Sequence, residues 1–167
     1  PAELTTVRGQ VAVASTPGRV TGVRLLPEHP PACEPAVAAV SAADWVVLGP
    51  GSWFTSVLPH LLVPGLASAL HETAARRCVT LNLGPQEGET EGFSAATYLE
   101  VLAAHAPRLR LDAVLVDPSA VDDEDRLTEV AAGQGARLVV RQVRARSGGS
   151  VHDPLLLAAA YRDVFAG

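Results

Sequence analysis

Four short apolar runs recur along the chain, and the stretch between each pair is long enough for a helix. They are Trp45–Leu48 (WVVL), Cys78–Leu83 (CVTLNL), Ala113–Val116 (AVLV) and Arg137–Val143 (RLVVRQV). Strands that are apolar on successive residues must be covered on both faces, and a parallel sheet with crossover helices supplies that cover. The segments around them have helical patterns: Pro35–Ala43, Ser56–His71 (broken or kinked by Pro59 and Pro64-Gly65), Ser94–His105 and Asp122–Ala132. Ser94 has the side chain of an N-cap. A closing helix, Asp153–Phe165, has Asp153 as its N-cap and Pro154 at its first helical position. Right-handed crossovers then make a Rossmann-like, three-layer α/β sandwich around a mostly parallel sheet.

The first 35 residues follow a different rhythm. Val7–Ala14 and Arg19–Leu26 read as two strands joined by Ser15-Thr16-Pro17-Gly18, a small N-terminal β-hairpin. Pro27–Pro35 (PEHPPACEP) is a proline-rich connector, too stiff for a helix interior. The expected organisation is therefore a hairpin and connector over 1–35 and a Rossmann-like core over 36–167. At 167 residues the chain suits one domain or part of one. It contains no Met and opens at Pro1 on an alternating pattern, so we expect the C-terminal part of a longer protein.

Charge and cysteine usage narrow the function. With 13 Lys and Arg against 18 Asp and Glu the net charge is −5, which argues against non-specific nucleic-acid binding. Every apolar run is interrupted well short of a membrane span, so no membrane partner is expected. Cys33 and Cys78 are far apart with no CxxC or His-rich companion, so no structural metal site is expected and free thiols in a reducing cytoplasm are.

Ligands of open parallel sheets bind beyond the carboxyl ends of the strands, so the loops there carry the chemistry. The first is Gly49-Pro50-Gly51-Ser52, followed by Thr55 and Ser56 at a helix start. Glycines let the backbone turn sharply and approach a ligand, and a helix start presents free N–H groups to an anion such as phosphate. The same residues also suit a plain strand-to-helix turn with Ser52 as its cap. The loop is neither a Walker A nor a GxGxxG sequence. The second loop, Asn82–Phe93 (NLGPQEGETEGF), gathers Asn82, Gln86, Glu89, Thr90 and Phe93 among glycines. It can aim amides and a carboxylate at sugar hydroxyls, a base edge or a metal, or serve as a solvated turn. His152-Asp153 reads as a capping arrangement more readily than an acid–base pair. Arg141, Arg144 and Arg146 could meet a phosphate or line a solvated edge. His60, His71 and His105 fall on helical patterns without clear partners, and Asp122–Asp125 complement a helix dipole. Ser52 does not lie in a GxSxG elbow, and no Ser-His-Asp or Cys-His arrangement can be assembled, so no catalytic residue is assigned.

ADWVVLGPGSWFTSVLPHLLVPGL, LNLGPQEGETEGFSAATYLEVLAAH and VHDPLLLAAAY resemble, in order and spacing, the gluconeogenesis-factor (YvcK-like, UPF0052) family of the CofD-like superfamily. The resemblance covers most of the chain from Ala36 onward. It implies a bacterial cytoplasmic protein that binds UDP-sugars such as UDP-N-acetylglucosamine and is linked to carbon metabolism, cell shape and cell-wall synthesis. Gly49, Pro50, Gly51, Ser52, Thr55 and Ser56 would then face the phosphates. Asn82, Gln86, Glu89, Thr90 and Phe93 would line the sugar or base side. The related 2-phospho-L-lactate transferases offer a second reading, a transferase using Glu89 or another carboxylate to hold magnesium near a diphosphate. A third is a scaffold that works through protein contacts. The family's opening GG-x-x-G loop is absent from this chain, and Phe93 stands where the family often has Tyr, keeping a stacking surface but no phenol hydroxyl. A homo-oligomer would follow where apolar sheet edges need cover.

Overall fold

The computed structural model describes residues 4–167. Strands β1 (Trp45–Leu48), β2 (Arg76–Thr80), β3 (Ala113–Val116) and β4 (Arg137–Val140) form one parallel sheet in the order β1-β2-β3-β4. The helices are α1 (Gln10–Ala14), α2 (Glu34–Ala42), α3 (Leu58–Leu62), α4 (Pro64–Glu72), α5 (Ala95–His105), α6 (Glu124–Gly133) and α7 (Pro154–Ala166). A π-helical turn, Trp53–Val57, runs directly into α3.

Because the strands are added in one direction, same-handed crossovers put α3 to α6 on one face. The larger core lies there, where Leu48, Val79, Val114 and Val116 meet Phe54, Leu58, Leu99, Leu102 and Leu127. The alternate strand residues Cys78, Ala113, Leu115 and Val139 point to the other face, which α7 covers with Leu157, Ala160, Tyr161 and Val164. The helix–sheet–helix sandwich is thus the expected α/β fold. Its strand order never reverses, so all four strands send their carboxyl ends to one rim with no switch point between them. Among the described residues no helix is long and apolar enough to cross a membrane.

The N-terminal hairpin is not formed. Gln10–Ala14 is a five-residue helix with no buried residue, and 19–26 carries no strand. A two-stranded hairpin is marginal without a sheet to lie on, and here Val20 and Val23 pack on the larger core instead. The Ser56–His71 segment breaks as its prolines predict, with Pro64 starting a new helix, while the ends of two strands move. The second strand begins at Arg76 and ends at Thr80, and the fourth ends at Val140.

Candidate functional site

At the end of β1 the chain turns at Gly49 (φ +78), where a Cβ would come within 2.7 Å of the Thr80 carbonyl, so only glycine fits. The Asn82 amide clamps the next glycine from both sides. Gly51 N–H donates to Asn82 Oδ1 (3.0 Å), and Asn82 Nδ2 donates to the Gly51 carbonyl (2.9 Å). Asn82 thus holds the β1 loop in shape. Ser52 caps the π-helical turn, its Oγ accepting from Thr55 N–H at 3.2 Å.

Glu89, 2% exposed, crosses from the second loop to this helix start. Its Oε1 accepts from Ser52 Oγ (2.6 Å) and from Phe54 N–H (3.0 Å). The Ser52 and Thr55 hydroxyls are also hydrogen-bonded to each other. Since the Ser52 proton goes to Glu89, the Thr55 hydroxyl must donate to Ser52 Oγ. A carboxylate thus stands at the positive end of the helix, and a relay of two hydroxyls leads outward from it. Both hydroxyl side chains are half-buried, Ser56 and Pro50 are exposed, and Gly49 and Gly51 are half-buried.

Of the remaining expected contacts of the second loop, Thr90 and Phe93 face inward and Gln86 does not. Thr90 is fully buried, its Oγ1 accepting from Gln86 N–H (2.8 Å) and pairing with Tyr98 OH (2.8 Å), while the Gln86 side chain is exposed. Phe93 is 9% exposed and meets Tyr98 and Phe54 edge-on, with centroids 5.3 and 6.2 Å apart. It is a wall of the core, because its loop folds back over α5. Tyr98, which also donates to the Gly84 carbonyl (3.3 Å), braces the loop; burial pushes its phenol up in pKa. Only its place on the inner face of α5 could have drawn attention to it in the sequence.

A second cluster lies at the ends of β3 and β4. Asp117 is 3% exposed. It accepts from Ser119 Oγ, Ser119 N–H, Val143 N–H (2.7 Å) and Arg144 N–H (2.9 Å). Burial alone would raise its pKa, but these hydrogen bonds outweigh it and bring the carboxyl to about 2. The Arg144 guanidinium donates to Ser119 Oγ and to the Leu83 and Gly149 carbonyls, tying the β2 and β4 ends together. Beside it an open cleft of about 280 Å³ is lined by Asp117, Pro118, Ser119, Gln142, Arg144 and Arg146. The sequence offered Asp117 only as an acid after an apolar run, which gave no sign of its four donors. Asp153 is the α7 cap, accepting from Leu155 and Leu156 N–H. His152 lies opposite Arg144 in an isolated antiparallel bridge held by Ala145 N–H to the Val151 carbonyl and Asp153 N–H to the Val143 carbonyl, and burial chiefly lowers its pKa. Arg141 pairs with Asp163 on the surface. A cavity of about 200 Å³ near His71 and His105 lies at the carboxyl ends of α4 and α5, away from this rim.

Residues 2–148 match the family model described as 2-phospho-L-lactate transferase CofD. A Mycobacterium tuberculosis (strain H37Rv) relative is 52% identical over 163 residues, covering 96% of this chain and 47% of the relative. A Mycobacterium leprae relative is 50% identical over 165 residues, covering 96% and 45%. A Halalkalibacterium halodurans relative is 34% identical over 119 residues, covering 71% and 37%. All three carry the gluconeogenesis-factor name. A crystal structure from Bacillus halodurans, described as a member of the UPF0052 family, superposes with a TM-score of 0.81 at 25% identity, covering 96% of this chain and 55% of that one. The chain spans about half the length of the two mycobacterial relatives and of the crystal structure, and 37% of the Halalkalibacterium halodurans relative. With the loops after β1 and β2 carrying the resemblance and the parallel sheet carrying the fold, the chain belongs to the CofD family, in its gluconeogenesis-factor branch.

Proposed function

We propose that this chain supplies one wall of a nucleotide-sugar site in a regulatory protein of bacterial carbon metabolism, acting in the cytoplasm on cell shape and cell-wall synthesis. One observation carries the reading: hydrogen bonds from Ser52 to Glu89 and between Gly51 and Asn82 join two glycine-rich loops at the carboxyl ends of adjacent parallel strands into a single surface. A diphosphate there would meet the half-buried Thr55 and Ser52 hydroxyls. Rotation of the Thr55 hydroxyl redirects its proton from Ser52 to a phosphate oxygen without moving the backbone. The exposed Gln86 side chain and the Arg144–Arg146 cleft lie on the same rim and suit the sugar or base end. Phe93, whose ring is packed inside, would contribute through the loop it anchors.

The test is thermal unfolding of the full-length protein with UDP-N-acetylglucosamine. A ligand selective for the folded state stabilises by about 2.7 kcal/mol at a hundred times its Kd. Ser52→Ala with Thr55→Ala should remove most of that shift. Absence of any shift at millimolar ligand would defeat the proposal.

The family description favours a second reading, a transferase of the 2-phospho-L-lactate type. Among the described residues no group of three or more His, Cys, Asp or Glu could hold a metal ion. Glu89 Oε1 already accepts two hydrogen bonds, so magnesium would depend on the donor's own phosphate oxygens for most of its ligands. Magnesium-dependent turnover of a nucleoside-diphosphate donor would favour this reading.

A further inference from the structure

The N-terminal segment lies across the candidate site, although it has no regular place in the sheet. Starting from α2, Ala32 sits against Gly65, where an added Cβ would meet the Ala32 Cβ at 2.7 Å. Further back, Val20 and Val23 pack on the larger core. The segment then reaches both loops of the site. The Thr16 carbonyl and Pro17 lie on Gly88 so closely that a Cβ at Gly88 would overlap that carbonyl. Gln10 Nε2 donates to the Thr55 carbonyl at 3.1 Å. Beneath these two contacts Gly88 is buried, Glu89 is 2% exposed and Trp53 has no exposed surface.

The same segment is weakly held at this end. Helix α1 buries none of its residues, Val11 is 81% exposed and the Gln10–Thr55 bond faces solvent. Gly9, at φ +95, precedes α1 without a side-chain cap. A stretch with so few buried apolar contacts opens locally at a small fraction of the global unfolding free energy. The loops below are braced from their other side by Asn82, Glu89 and Tyr98.

We propose that residues 8–18 are a movable cover over the paired loops, closed in this structure, which must lift before a ligand can reach the Ser52–Glu89 pair. The role of the cover as a gate rests on the nucleotide-sugar reading; its opening does not. Loss of the Gln10 tether shifts the closed–open balance, and apparent affinity scales with the fraction open.

The experiment is hydrogen exchange with mass spectrometry on the full chain, comparing wild type, Gln10→Ala and Gly88→Ala. Amides of residues 52–57 should exchange about threefold faster or more in both variants, the value of one modest hydrogen bond, while strand 113–116 is unchanged. Gly88→Ala is the supporting arm and Gln10→Ala the deciding one, since alanine at φ +74 also loosens the loop that carries Glu89 and so acts on 52–57 directly. Unchanged exchange at 52–57 in Gln10→Ala overturns the cover. In a parallel titration with UDP-N-acetylglucosamine, Gln10→Ala should bind more tightly by a similar factor. Faster exchange with unaltered affinity would overturn the gating role. If exchange quickens while neither wild type nor variant binds the UDP-sugar, the cover stands and the nucleotide-sugar reading falls.

Discussion

Two buried carboxylates organise the rim of this sheet. Glu89 satisfies the Ser52 hydroxyl and the Phe54 amide, both within the wall of the site. Glu89→Ala should cost about 2–4 kcal/mol in urea unfolding, because it strands two donors that had a charged acceptor. Asp117 holds the β4 exit through four donors. Its folded pKa of about 2 lies below the ordinary 3.8, so its stabilisation is complete above about pH 4 and disappears as the pH falls through about 2. The amount is on the order of 2 kcal/mol or less. Acid unfolding of Asp117→Asn should show that loss already present at pH 5, with a flatter slope below pH 4. Neither role was legible in the sequence. Glu89 was legible as a loop carboxylate of the candidate site, and Asp117 not at all. Ser119 is local to Asp117, but Phe54 lies 35 positions from Glu89 and Val143 lies 26 from Asp117, and no local pattern reports those partners.

At the scale of elements, α7 is the helix that covers the second face of the sheet. Its cap is therefore an expected weak point. Asp153→Ala should lower stability by about 1 kcal/mol. In a domain of this size that is a thermal midpoint lower by roughly 2–4 °C, readable by calorimetry. This cap, the Ser94 cap of α5 and strands β1 and β3 lie where the residue pattern put them, because caps and short apolar runs are locally encoded. The expected hairpin does not form, for the complementary reason. Alternation in Val7–Ala14 describes a preference for pairing, and among the described residues no strand is positioned to accept it. The Asn82–Gly51 clamp is also an element-scale device. Asn82→Ala should cost about 1–2 kcal/mol and loosen the β1 loop ahead of the rest of the sheet, seen as faster exchange of the Ser52–Val57 amides.

For the molecule as a whole, two half-buried imidazoles set a pH dependence. Burial first, then Arg108 and Arg77, lowers the pKa of His71, and burial chiefly lowers that of His152. Each folded value lies below the ordinary 6.5, so the unfolded chain binds more protons in the window beneath it. Stability should then rise with pH through that window and level off above about 6.5. Midpoints measured from pH 5 to 8 should climb and then flatten, and His71→Gln with His152→Gln should remove most of the climb. The surface pairs Arg126–Glu100 and Arg141–Asp163 are too exposed to matter, so added salt should leave the midpoint nearly unchanged. The sequence alone established a parallel sheet between helices, its caps, and two unusual loops at strand ends, because periodicity and capping act over a few residues. Tertiary structure alone decided that Glu89 and Asn82 knit those loops into one wall, that Phe93 and Thr90 turn inward, and that residues 8–18 lie across the result. Those outcomes depend on contacts between distant segments, whose geometry exists only once the sheet has brought their ends to the same rim.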